Sequence, residues 1–186
     1  MLVNHEKLSK EEKVVIACSS FGSSNSDMLR SIDLFNERIN WNQVCNLAEK
    51  HGVSNLLTWN LRRLDVMRII PDNLRINLEE RLDKTRNYQD KYYDEIASIM
   101  GLLEKRDLIL LFLKGVALSR TLYKDCPEVR PFGDIDILVP EDQAKNIFTI
   151  LIKEAGYHCH KDKDLQKLYV YVAQHYAPLS KKGVIN

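Results

Sequence analysis

RPFGDIDILVP, residues 130–140, places Asp134 and Asp136 inside a run otherwise built from Ile135, Ile137, Leu138 and Val139. The apolar residues predict a buried strand that ends at Pro140. On a strand, residues two apart share a face, so the two carboxylates project side by side while Ile135 and Ile137 turn to the buried side. Like charges that close repel each other and require a compensating cation. Magnesium suits the pair, being a hard ion that takes carboxylate oxygens and keeps positions open for phosphates. On D-x-D alone, a solvated edge strand carrying two acids is the better account.

The upstream context shifts that balance. The run LILLFLKG, beginning at Leu108, predicts a strand buried on both faces and ended by Gly115. VALSRTLYKD follows with Leu118 and Leu122 at helical spacing. Lys114 and Gly115 thus stand where a strand passes into a helix. A glycine there lets backbone approach a phosphate, and a helix start presents unpaired N–H groups. Strand, glycine, helix, loop and then G-D-x-D on a neighbouring strand is a far rarer pattern than either half.

Further out, the chain divides by composition. Residues 1–105 carry helical patterns, with only Gly22 and Gly52 before Gly101, whereas strand-like runs begin after Arg106. Val14 to Ala17 belong to one helix, which the SSFGSSNSD stretch with Gly22 and Asp27 interrupts. Trp41, Val44, Cys45 and Ala48 mark a second, ended by Gly52. A third runs from Asn55 through Leu64, and Pro71-Asp72 opens the next. From Leu74 to about Lys105, the stripe Leu78, Leu82, Tyr92, Ile96, Ile99, Met100 and Leu103 predicts a long amphipathic helix. Tyr88, Tyr92 and Tyr93 on it are read as packing. EDQAKNIFTILIKEAGY predicts a helix with Ala144, Ile147, Phe148 and Leu151 on one face. The order strand, helix, strand, helix, strand, strand follows, the last strand beginning at Val184. The class is α+β: a helical segment, residues 1–105, then a small mixed-sheet domain, residues 106–186.

The whole chain excludes several functions. With 27 basic and 26 acidic residues, the net charge of +1 draws it neither to nucleic acid nor to an anionic membrane. No run is long and apolar enough for a membrane span and no secretory pattern opens the chain, so a cytoplasmic protein is expected. Cys18, Cys45, Cys126 and Cys159 are scattered and read as reduced thiols. His158, Cys159 and His160 allow a metal site or a plain surface strand end, with Cys159 pointing away from both histidines on a strand.

LKGVALSRTLY followed by RPFGDIDILVP closely resembles the bacterial nucleotidyltransferases of the DNA polymerase β superfamily, with a K-G-x-A-L through R-P-x-G-D-x-D-x-L-V pattern. The likeness is strongest from Leu110 to Pro140; WNQVCNLAEKHGV and QHYAPL are similar to segments before and after the catalytic part. The resemblance implies a polymerase β-like domain in which Asp134 and Asp136 bind two Mg²⁺ ions and an NTP is the substrate. Gly115 would stand at its phosphates and Gly133 would admit close approach to the first aspartate. Lys114 and Arg130 would contact the triphosphate or act as structural counter-charges. Val116 departs from the glycine or serine that usually follows the helix-start glycine.

The expected reaction transfers a nucleoside monophosphate to an acceptor and releases pyrophosphate; a small molecule, a peptide and a protein all fit as acceptor. The alternative is an inactive nucleotide- or partner-binding module, and a helical scaffold with a structural cap stands last. The superfamily also uses a third carboxylate. Asp162 and Asp164 fall in a charged turn, so the expectation is that the chain is the N-terminal part of a longer protein whose missing acid follows Val184.

Overall fold

Ser9 begins the first helix, α1 (Lys10–Cys18), with a reciprocal cap. Its hydroxyl accepts from the Glu12 N–H at 3.2 Å, and the Glu12 carboxylate accepts from the Ser9 N–H at 2.8 Å. Two donors that a helix start leaves without partners are thereby satisfied. Asn40 caps α2 (Trp41–Lys50) through the Gln43 N–H. Then come α3 (Ser54–Arg63), a 3₁₀ turn at Met67–Ile69 and the long α4 (Asp72–Glu104). The remainder is β1 (Leu111–Phe112), α5 (Lys114–Arg120), a 3₁₀ turn at Pro127–Val129, β2 (Ile137–Leu138), α6 (Glu141–Lys153), β3 (His158–Cys159) and β4 (Leu179–Ser180). This computed structural model describes residues 8–22, 38–159 and 176–183. Within them the predicted strand, helix, strand, helix series over residues 108–153 is present as β1, α5, β2 and α6. Val184, His160, Asp162 and Asp164 lie outside the described residues.

The chain forms two compact units, Met1–Arg86 with Tyr123–Pro131, and Asn87–Leu122 with Phe132–Asn186. In the first, Val14, Cys18, Val44, Ala48, Leu57 and Leu61 are buried together. Asn60 donates its side-chain amide to the carbonyls of Cys18 and Ser20, which closes the end of α1. Asn55 Nδ2 donates to the Glu128 carbonyl at 2.7 Å, and Arg86 pairs with the Glu128 carboxylate at 2.7 Å. These contacts are why residues 123–131 belong to the helical unit.

In the second unit, Tyr92, Ile96, Ile99 and Leu103 of α4 pack with Val116, Phe132, Ile147, Ile150, Leu151 and Tyr157. β1 and β2 pair antiparallel, with Leu111 opposite Leu138 and Phe112 opposite Ile137. β3 and β4 form a separate antiparallel pair.

Several expectations change. The class remains α+β, but among the described residues two antiparallel strand pairs stand where a mixed sheet is expected. The LILLFLKG run is not buried on both faces: Ile109 and Leu111 are 65% and 59% exposed, because β1 packs only one side against the core. Leu118 and Leu122 are exposed as well, since α5 turns Gly115, Val116 and Ser119 inward. Met100 lies on the exposed side of α4. The division at 105/106 follows composition, whereas packing divides the chain at Arg86 and Asn87, inside α4. The later turns of α4 carry Tyr92, Ile96, Ile99 and Leu103, and these fill the core beneath the strands.

Candidate active site

The quoted stretch positions its carboxylates by alternation. Ile135, Ile137 and Val139 pack against the core of the second unit, while Asp134 and Leu138 are exposed. Regular β2 covers only Ile137–Leu138, but the ladder continues past it: the Leu113 N–H donates to the Asp136 carbonyl at 2.9 Å. Asp136 is thus tied by backbone to the residue before Lys114.

Lys114 completes the junction. Its φ is +49°, a left-handed conformation that costs a side-chain-bearing residue about 1–2 kcal/mol. Its Nζ lies 3.1 Å from Asp136 Oδ2, with the lysine side chain 71% exposed. An ion pair that open to water is worth at most about 1 kcal/mol, so its interest lies in placing a cation beside the carboxylates.

The two glycines differ. Gly115 is buried, and a Cβ there would stand 2.5 Å from the Phe132 Cβ. Close packing on Phe132 therefore requires glycine at this position. At Gly133 a Cβ would meet nothing within 4 Å of the described structure. Packing does not explain that glycine.

The Gly133 carbonyl accepts a hydrogen bond from the Tyr92 hydroxyl at 2.9 Å. Tyr92 is fully buried, and its ring meets Phe132 edge-on at 5.5 Å. Burial first, then the hydrogen bond and charge of Tyr88 and the charge of Asp134, hold its phenol above the ordinary value. It stays a donor at neutral pH. Helical spacing put Tyr92 on a buried face, but no sequence signal showed that its hydroxyl reaches the residue before Asp134.

The structure brings Asp136, Lys114, Gly115 and Gly133 into one neighbourhood, with Asp134 between Gly133 and Ile135. Arg130 falls in the first unit, where its Nη1 donates to the Pro131 carbonyl at 2.8 Å. Glu141 and Asp142 lie in the first turn of α6, and Glu154 pairs with Arg106. Among the described residues, no three His, Cys, Asp or Glu side chains gather as a metal site. No helix among them is long and apolar enough to cross a membrane. His158 is exposed and Cys159 half-buried at β3.

No curated protein and no solved structure matches this chain. A family model described as "Uncharacterised nucleotidyltransferase" matches residues 37–184, which include the G-D-x-D sequence, the Lys114–Gly115 junction and most of the helical segment. With a match over most of its length, the chain belongs to this nucleotidyltransferase family.

Proposed function

We propose that this protein is a magnesium-dependent nucleotidyltransferase of the DNA polymerase β type, moving a nucleoside monophosphate from an NTP to an acceptor hydroxyl. The supporting observation is the Lys114 ammonium 3.1 Å from Asp136 Oδ2, in a stretch where Ile135, Ile137 and Val139 pack on the core and Asp134 is exposed. Two carboxylates are a hard-oxygen donor set, and magnesium commonly takes one or two carboxylates and completes its shell with water and substrate phosphates. The residues present fit the ion. Asp134 and Asp136 would hold it, and a bound ion supplies charge neutralisation at the phosphates.

The chain's own groups have separate tasks in this reading. Lys114, exposed and held by its ion pair, would turn to the triphosphate when the ion replaces it at Asp136. Gly133, open on its Cβ side, admits the substrate to the first aspartate. The acceptor oxygen attacks the α-phosphorus, the bond to the bridging oxygen breaks, and pyrophosphate leaves with that electron pair. The acceptor proton passes to a base, and no described carboxylate is assigned to that task. Catalysis rests on positioning and electrostatics.

A second reading has its own observation. Lys114 already neutralises Asp136 and no third carboxylate joins the pair among the described residues, as in a module that binds without turnover. One experiment separates them: incubation with Mg²⁺ and a panel of α-labelled NTPs, following binding, label transfer and pyrophosphate release. The transferase reading expects turnover that Asp134→Asn and Asp136→Asn each lower by at least about 100-fold, with the fold kept. Nucleotide binding without transfer favours the module. Binding and turnover untouched by both substitutions would overturn the site.

A further inference from the structure

We propose that Tyr92 is a positioning residue for the carboxylate pair, its hydroxyl holding the Gly133 carbonyl and with it the peptide that carries the Asp134 N–H. The inference rests on the nucleotidyl-transfer reading of that pair.

Gly133 and Asp134 share one peptide plane, so whatever orients the Gly133 carbonyl also orients the backbone from which the Asp134 side chain leaves. Gly133 is exposed, and a Cβ there would meet nothing within 4 Å. A glycine in such a place has wide conformational freedom, which a precise pair of metal ligands cannot tolerate. The Tyr92 hydrogen bond at 2.9 Å removes it from a distant position on α4. A tyrosine has one hydroxyl proton. Since Tyr92 spends its proton on Gly133, the 2.7 Å contact between the two tyrosines must be donated by Tyr88, giving a directed chain from Tyr88 through Tyr92 to the carbonyl.

Tyr88 is 45% exposed, so the chain runs from solvent to the peptide beside Asp134. The same rings reach the other half of the site. Tyr92 packs edge-on to Phe132 at 5.5 Å, and Phe132 occupies the space a side chain at position 115 would need. The aromatic group therefore sets the G-D-x-D backbone and the Lys114–Gly115 junction together. A purely apolar ring would fill this core equally well, whereas the directed hydroxyl serves only the carbonyl.

The test uses Tyr92→Phe, which keeps the ring and removes the hydroxyl, beside Tyr88→Phe, which shortens the chain from its exposed end. Asp134→Asn is the control. Mn²⁺, titrated by electron paramagnetic resonance with and without ATP, is the probe; thermal melting reports the fold. Tyr92→Phe is expected to melt within about 5 °C of the unmodified protein, to bind Mn²⁺ about tenfold more weakly, and to lower kcat more than KM. Tyr88→Phe should move Mn²⁺ affinity in the same direction by less. Unchanged Mn²⁺ affinity in Tyr92→Phe, with Asp134→Asn defective, overturns the role of Tyr92 and leaves the site standing. Unchanged affinity in Asp134→Asn removes the carboxylate site itself, and the proposal with it. If Tyr92→Phe does not fold, an unchanged Mn²⁺ affinity in Tyr88→Phe overturns the hydroxyl chain.

Discussion

Gly115 and Gly133 adjoin the same phenylalanine and answer to different demands. Gly115→Ala must push its new methyl against the Phe132 Cβ, a backbone-proximal atom that no rotamer change can withdraw. A loss of about 1–3 kcal/mol in urea melts is expected. Gly133→Ala meets open space, so its stability should stay within about 0.5 kcal/mol of the parent while nucleotide turnover falls. An alanine at 133 with full turnover would show that close approach there is not needed. Cys18 gives a residue-scale pH effect. Burial pushes its thiol from 9.0 up to about 12. The unfolded chain releases that proton first, so this contribution is complete below about pH 9 and is lost as pH rises through about 12, at up to about 1.4 kcal/mol per unit. Alkylation of Cys18 should therefore track global unfolding. The carboxylates and glycines of the candidate site stand out in sequence as residue types at fixed spacing. Tyr92 was not, because periodicity identifies a buried face but says nothing of the partner a hydroxyl finds there.

At the scale of elements, the helix ends carry the clearest conformational signature. Gly52 and Gly156 adopt positive φ just past α2 and α6, with a backbone bond of the Schellman kind from Val53 to Ala48 and a wider one from Tyr157 to Leu151. Asp65 and Asp107 hold the same left-handed conformation after α3 and α4, both at φ 54°, with the corresponding bonds from Val66 to Leu61 and from Leu108 to Leu103. An aspartate pays a steric penalty there that glycine avoids. Asp65→Gly and Asp107→Gly should each raise stability by up to about 1 kcal/mol, read from denaturant midpoints. A destabilised Asp65→Gly would mean that its exposed 3.7 Å ion pair with Arg68 outweighs the backbone term. The glycine stops were visible in sequence. The aspartate stops were not, since aspartate is as common at helix starts and turns. Strand lengths were also misjudged: a run of apolar residues does not reveal whether both faces find a covering layer.

Across the molecule, each unit is held by its own core and by a few buried polar contacts. In the second unit the Glu95 carboxylate, 6% exposed, takes both oxygens to Lys181 Nζ at 2.8 and 2.9 Å. This ties the residue after β4 to the later turns of α4, elements far apart in sequence. Lys181→Met should cost about 3 kcal/mol by leaving a buried carboxylate without its cation, and Glu95→Gln added to it should recover part of that loss. Equal melts for Lys181→Met and the parent would show that water reaches Glu95 freely. Local pattern was enough to read the helices of the described residues and the nucleotidyltransferase family. All of these depend on residue types and periods short enough to lie within one element. Where the chain divides inside α4, which face of β1 is covered and which hydroxyl secures Gly133 depend on contacts between distant residues. Those are set by how apolar faces share one core and by which buried polar groups find partners there, and neither is written in any single stretch.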